Sequence, residues 1–218
     1  MLTVAEENYI KAIYKLAERN EIVTTKDIAD RVNTKPSSVS DMLKKLADKK
    51  YINYEKYQHI SLTKLGEKIA LKTIRKHRLW EVFLVEKLGF GWDEIHPIAE
   101  ELEHINSDEL VDRLDNFLGN PEYDPHGDPI PTAAGKINAM KVKKLSEAGS
   151  GETVVMTGVA DHSAGFLKHL SKLNISLSTK LKIKEVNEFD RSMMISISGE
   201  KPHFISYEVA KNLLVTTA

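Results

Sequence analysis

The apolar residues of this chain repeat with two different periods, and the change from one to the other restricts what it can fold into. Up to residue 118 they recur at helical spacing, as in Ala5, Tyr9, Ile10, Ala12, Ile13 and Leu16, and again in Val39, Met42, Leu43 and Leu46. From residue 152 they form short β-rich runs, ETVVMTGVA, KLKIKEV, SMMISISG and HFISYEVA, interrupted by one helical stretch at 164–173. Between the two regimes, residues 119–136 (GNPEYDPHGDPIPTAAGK) hold four of the seven prolines and read as an ordered or extended loop. The expected fold is therefore mainly α, followed by a small C-terminal β-barrel of SH3-like size.

Inside the helical part the punctuation is specific. Thr24-Thr25 reads as the N-cap of a short second helix ending near Asn33, and Pro36 suits the first turn of a third. Residues 51–54 and 59–63 alternate on either side of a polar turn at 55–58, which predicts a two-stranded hairpin. Helix, helix, turn, helix and hairpin within some 60 residues describe a winged helix-turn-helix. The front of its third helix offers Thr34, Lys35, Ser37, Ser38 and Ser40 around Pro36, short groups suited to base edges and phosphates. Lys44, Lys45, Lys49 and Lys50 can reach phosphates, and Lys56, Tyr57, Gln58 and His59 form the tip of the wing. The competing reading is a helical bundle whose lysine-rich face is solvated.

Charge is divided along the chain, although the total is only −1. Residues 1–76 contain 16 Lys+Arg and 10 Asp+Glu, residues 77–136 contain 4 and 14, and residues 137–218 contain 11 and 8. A basic head, an acidic middle and a mildly basic tail suggest three regions with separate tasks. The absence of cysteine excludes disulfides, thiolate metal sites and cysteine nucleophiles. No run of 18 apolar residues occurs and charges interrupt the N-terminal stretch, so a cytoplasmic protein without membrane partners is expected.

Helical patterns cover roughly 64–88, 93–105 and 107–118, and the acidic middle sets ligand-type residues on them at regular spacing. His77 and Glu81 are i, i+4; His96, Glu100, Glu103 and His104 fall at i, i+4, i+7 and i+8, a single stripe. Carboxylates facing a helix interface must be paired or coordinated, since an isolated buried charge costs several kcal/mol. Two such stripes are candidates for one or two metal sites. Imidazole and carboxylate without thiolate favour Mn(II) or Fe(II). The same residue types also build metallohydrolases, but no HExxH motif, serine elbow or phosphate-cradling glycine loop is present. A metal-buffering or interaction protein is the third reading.

The segments AEENYIKAIYKL, KPSSVSDMLKKL, YEKYQHISLTKLGEKIA, RKHRLWEVFL, IAEELEHINSDELVDRL and DPHGDPIPT together make the chain resemble the diphtheria toxin repressor family, in particular its manganese transport regulator branch. The resemblance implies a winged helix-turn-helix DNA-binding domain at 1–72 and a helical metal-binding and dimerisation domain at 73–140. A linker at 141–151 and an SH3-like (FeoA-like) domain at 152–218 complete the expected order. It implies a homodimer that represses metal-uptake genes by binding double-stranded operator DNA when Mn(II), or alternatively Fe(II), is bound. Its primary metal site, carried over, is Asn8, Glu100, Glu103 and His104. Glu100 matches the manganese branch, whereas Asn8 departs from the Asp common there. The ancillary site is His77, Glu81 and His96 with a ligand from the SH3-like domain, Asp161 or the adjacent His162. Lys11 stands where shorter manganese regulators carry a second acidic ligand, which argues against a closely spaced two-metal cluster.

Overall fold

Helix α1 (Val4–Ala17) begins where Thr3 and Glu6 satisfy each other's backbone: the Glu6 N–H donates to Thr3 Oγ1 and the Thr3 N–H to Glu6 Oε2. Thr24 and Asp27 repeat the arrangement at the start of α2 (Thr25–Arg31), and Pro36 occupies the first turn of α3 (Pro36–Asp48). The computed structural model describes residues 2–19, 22–54, 59–197, 199 and 201–218. A hairpin follows, with β1 (Ile52–Asn53) antiparallel to β2 (Ser61–Leu62) in the register Ile52–Leu62 and Asn53–Ser61. Of the expected wing tip, Lys56, Tyr57 and Gln58 lie outside the described residues, and His59 is exposed.

Ile10, Ile13, Ile28, Val39, Leu43, Leu46, Ile52 and Ile60 make one buried core. Each such side chain contributes about 1.5–3 kcal/mol on burial, more than a typical surface ion pair, so apolar packing docks α3. Glu6 is the polar exception. It is fully buried, yet its Oε1 lies 2.6 Å from Lys49 Nζ and 3.1 Å from Lys45 Nζ. Burial alone would raise its carboxyl, but the Lys49 hydrogen bond, the Thr3 N–H and Lys45 together hold it down at about 2.

Helix α4 (Lys64–Leu88) is followed by α5 (Ile95–Leu102) and α6 (Asp108–Phe117). Helix α5 stops earlier than its apolar pattern suggests, which leaves Glu103 and His104 in a turn rather than on a helical stripe. The chain divides into two compact units: Met1–His77 with Glu100–Val111 and Pro131–Ile137, and Arg78–Ala99 with Asp112–Ile130 and Asn138–Ala218.

The second unit is built on a six-stranded antiparallel sheet in the order β3-β8-β4-β5-β6-β7. Its strands are β3 (Lys143–Lys144), β4 (Thr153–Val159), β5 (Lys180–Val186), β6 (Met193–Ile197), β7 (Pro202–Ile205) and β8 (Leu213–Thr217). Met156, Leu181, Ile183, Ile195, Leu213 and Val215 form its core with Leu167 and Leu170 of α7 (Ala164–Lys172). Two expectations are corrected. The connector region 141–151 contains β3 and a 3-10 turn at Leu145–Glu147, because β3 pairs with β8 and Leu145 is fully buried. The run HFISYEVA is not one strand: the Ser206 hydroxyl caps Val209 N–H and starts α8 (Tyr207–Ala210). Strand β8, which the β-rich runs did not single out, lies between β3 and β4.

The depressed Glu6 carboxyl contributes stability that is complete above its ordinary value of 4.5 and is lost as pH falls toward 2. Glu6→Gln should cost about 1–3 kcal/mol at neutral pH, and its unfolding free energy should change less than that of the wild type across that acidic window. Chemical denaturation at several pH values checks both.

Candidate functional site

The first unit gathers its ligand-type residues around one buried carboxylate. Glu103 is fully buried, and His77 Nδ1 of α4 lies 2.7 Å from its Oε2. Glu100, in the last turn of α5, is 4.0 Å from the same nitrogen. One donor atom each from His77, Glu100 and Glu103 falls within a 4.8 Å span. His104 joins with both nitrogens: Nδ1 is 2.6 Å from Glu7 Oε2, and Nε2 is 3.6 Å from Glu103 Oε1. A hydrogen bond to Glu7 fixes Nδ1 as the protonated atom and leaves the Nε2 lone pair directed inward, the way a carboxylate prepares a metal-binding imidazole.

Two atoms test whether a cation belongs here. Asn8 Oδ1 and His104 Nε2 are buried and have no hydrogen-bond partner among the described residues. Both are acceptors left without donors in a site already rich in carboxylate oxygen, an arrangement that a divalent ion would satisfy. The structure also places Lys11 Nζ against Glu100 and Glu103, so the residues fit a cation while one of their own supplies a positive charge. Glu7 escaped sequence reasoning, although its i, i+4 relation to Lys11 put it on the correct face of α1.

The second unit holds another cluster. Glu81 of α4, Asp124 and His126 are all buried and bring one ligand atom each within 4.8 Å. His126 Nε2 is 2.8 Å from the Trp92 carbonyl and therefore carries a proton, and Nδ1 lies 3.6 Å from Glu81 Oε2. Asp124 Oδ1 accepts the N–H groups of His126 and Asp128, and Arg78 contacts both Asp124 (3.5 Å) and Asp128 (2.8 Å). Burial first, then the charges of Glu81 and Asp128, push the Asp124 carboxyl up to about 7. For His126, burial works downward, but Glu81, Asp124 and the Trp92 carbonyl prevail and raise it to about 9. Negative charge is in excess there.

His96 is largely exposed, with Nδ1 3.4 Å from Glu81 Oε1. His162 stacks on His126 at 4.9 Å between ring centroids, and burial lowers its pKa. Asp161 accepts the Ser163 N–H and is not in the three-ligand group. Asp124 and His126 were missed because the proline-rich segment was read only as an ordered or extended loop; the signal was the density of DPHGD, two acids and an imidazole in five residues. Gly127 lets that loop sit on β4: its φ is +87°, and an added Cβ would lie 2.0 Å from Thr157 O.

On the winged helix, Thr34, Lys35, Pro36, Ser37 and Ser38 are exposed along the start of α3. Ser40 is half-buried and donates to Pro36 O, Lys44 pairs with Asp41, and Lys45 is turned to Glu6.

A capped winged helix, together with buried carboxylate–imidazole clusters, defines a metal-regulated DNA-binding protein. The N-terminal DNA-binding domain of iron-dependent repressors matches residues 1–60, their metal-binding and dimerisation domain residues 63–132, and the FeoA domain residues 143–217. The iron-dependent repressor IdeR of Mycobacterium tuberculosis is 30% identical over 177 residues, 77% of this chain and 76% of that protein. The transcriptional regulator MntR of Bacillus subtilis is 36% identical over 57% of this chain and 87% of its own length. A solved manganese-dependent transcriptional repressor in complex with manganese superposes with a TM-score of 0.87 at 32% identity, covering 98% of this chain and 100% of that one. The chain belongs to the diphtheria toxin/iron-dependent repressor family. It is a metal-dependent DNA-binding repressor and not a hydrolase. Among the described residues, no helix is long and apolar enough to cross a membrane.

Gly127→Ala should destabilise the protein by at least about 2 kcal/mol through the clash and the positive φ. The loss of Asp124 and His126 placement should appear as weaker metal binding in calorimetry, while the hairpin and helices of the first unit keep their circular dichroism.

Proposed function

We propose that this repressor responds to Mn(II), acts as a cytoplasmic homodimer on double-stranded operator DNA, and controls metal-uptake genes. The observation that carries this reading is the double attachment of α1. Its Glu6 grips Lys45 and Lys49 at the end of α3, while its Glu7 and Lys11 reach His104, Glu100 and Glu103. Asn8, His77, Glu100, Glu103 and His104 would hold a divalent ion, which supplies two positive charges where carboxylates otherwise repel. Glu81, Asp124 and His126 would hold a second, with His96, Asp161 and His162 nearby in sequence or space as further candidates. All these donors are oxygen or nitrogen, which favours Mn(II); the similarity to an iron-dependent repressor supports Fe(II) as the second reading.

Residues 1–72 form the DNA-reading part in this scheme, 73–140 the sensing and dimerising part, and the FeoA-like part begins near residue 143. Thr34, Lys35, Pro36, Ser37, Ser38 and Ser40 would enter the major groove, with Lys44, Lys45, Tyr57, Gln58 and His59 at the backbone. An aromatic group on α4 and α6 supports pairing with a second copy: Phe83 lies 5.7 Å from Trp80 and 6.4 Å from Phe117, which is 65% exposed. In the dimer, metal binding would fix the two α3 helices at the spacing of successive major grooves, about 34–36 Å.

Gel retardation with Mn(II), Fe(II), Zn(II) and excess chelator tests this. Retardation should require metal, and equal binding in chelator would refute the scheme. Glu103→Ala should abolish the metal dependence. Lys35→Ala should weaken operator binding by about 1–3 kcal/mol without altering metal affinity, as measured by calorimetry.

A further inference from the structure

Lys11 belongs to the first cluster, yet its chemistry is opposite to that of a metal ligand. It sits one turn beyond Glu7 on α1, and its ammonium lies 2.7 Å from Glu100 Oε1, 2.7 Å from Glu103 Oε1 and 2.6 Å from Glu103 Oε2. An ammonium has three donors, and three carboxylate oxygens receive them. The side chain of Lys11 is 13% exposed and that of Glu103 is fully buried, so the two charge-assisted bonds to Glu103 are shielded from water and salt, while Glu100 is 35% exposed. Because the amine is tethered to α1, it meets the two carboxylates at a high effective concentration that dilution cannot reduce.

The balance of charge sets the amine against an incoming ion. Glu100 and Glu103 bring two negative charges; Asn8 is neutral, and Lys11 brings one positive charge. A divalent ion accepted by the same carboxylate oxygens would meet a third positive charge within a few ångströms in a poorly hydrated place, and the two cations repel.

We propose that Lys11 is a built-in competitor for the first metal centre: its ammonium holds Glu100 and Glu103 until a divalent ion displaces it, and the strength of that hold sets the metal concentration at which α1 responds. Lys11 is thus a threshold-determining residue and not a ligand. In the displaced state the amine leaves the carboxylates and regains water, so the cost of breaking its three hydrogen bonds is subtracted from the affinity for the ion. This rests on the reading of Asn8, His77, Glu100, Glu103 and His104 as a cation centre.

The test counts metal directly. Equilibrium dialysis against Mn(II) should be run on the full-length wild type, Lys11→Met, Lys11→Arg and the double variant Lys11→Met/Glu103→Gln. Lys11→Met is expected to fill the first centre at least about tenfold more tightly than the wild type, from the loss of charge-assisted hydrogen bonds to the competing amine. Lys11→Arg should behave as the wild type does, and the double variant should lose the tight ion gained by Lys11→Met. Equal stoichiometry and affinity in wild type and Lys11→Met would overturn the proposal. Should Lys11→Met not fold, the wild type answers alone. With 15N-labelled lysine and Lys11→Arg for assignment, the protected Nζ resonance of Lys11 should be present in chelator and vanish on loading with Cd(II). A resonance unchanged by saturating Cd(II) would refute displacement. DNA retardation is scored separately: if metal dependence persists while the Lys11 variants bind metal identically, the competitor is ruled out and the repressor scheme stands.

Discussion

The arrangement of the first unit depends on one buried carboxylate. Glu103 is removed from water, and an ionised carboxylate in that position is tolerable only if positive charge or hydrogen-bond donors surround it. Lys11 from α1 provides both, donating to the two Glu103 oxygens, and His77 Nδ1 of α4 and His104 Nε2 lie 2.7 and 3.6 Å from the carboxylate. Three segments distant in sequence are thereby held to one point, and α1 has a reason to stay where it is. Apolar packing alone would leave the rotation of α1 less strictly defined, since neighbouring methyl groups are interchangeable in a way that ammonium and carboxylate are not.

The two clusters solve the same problem by different means. The first balances its carboxylates with a tethered amine and keeps an imidazole nitrogen ready through Glu7. The second retains excess negative charge, visible in the raised Asp124 and His126, and is enclosed by the loop that Gly127 presses onto β4. If both clusters hold cations as proposed, their unequal charge balance would allow a graded response, the second loading before the amine of the first is displaced.

Local chemistry made much of this legible in advance. The caps at Thr24 and Pro36 and the apolar spacing of α1 and α3 define the winged helix by short-range rules, and those elements stand at nearly the expected residues. His77 with Glu81, and His96 with Glu100, Glu103 and His104, were also visible as residue types at regular intervals, but that His77 meets Glu103 was not. What was hidden depends on tertiary approach. Helix α5 ends at Leu102, so Glu103 and His104 act from a turn. Asp124 and His126 reach Glu81 only because a proline-rich segment folds back, and strand β8 owes its position to pairing with β3 and β4 rather than to its own pattern. Lys11 was legible as a departure in charge, but its partners were not.

The two attachments of α1 also bear on how such a chain can drift in sequence. Glu6 faces the lysines of α3, and Lys11 faces the carboxylates at and just after the end of α5; each residue along a helix turns by about 100°. Inserting or deleting a single residue between them would swing one side a quarter-turn away from its partners while leaving the other in place. The stretch from Glu6 to Lys11 therefore behaves as a spacer of fixed phase. Its length cannot change, in contrast to the exposed loops elsewhere, where an added residue costs little.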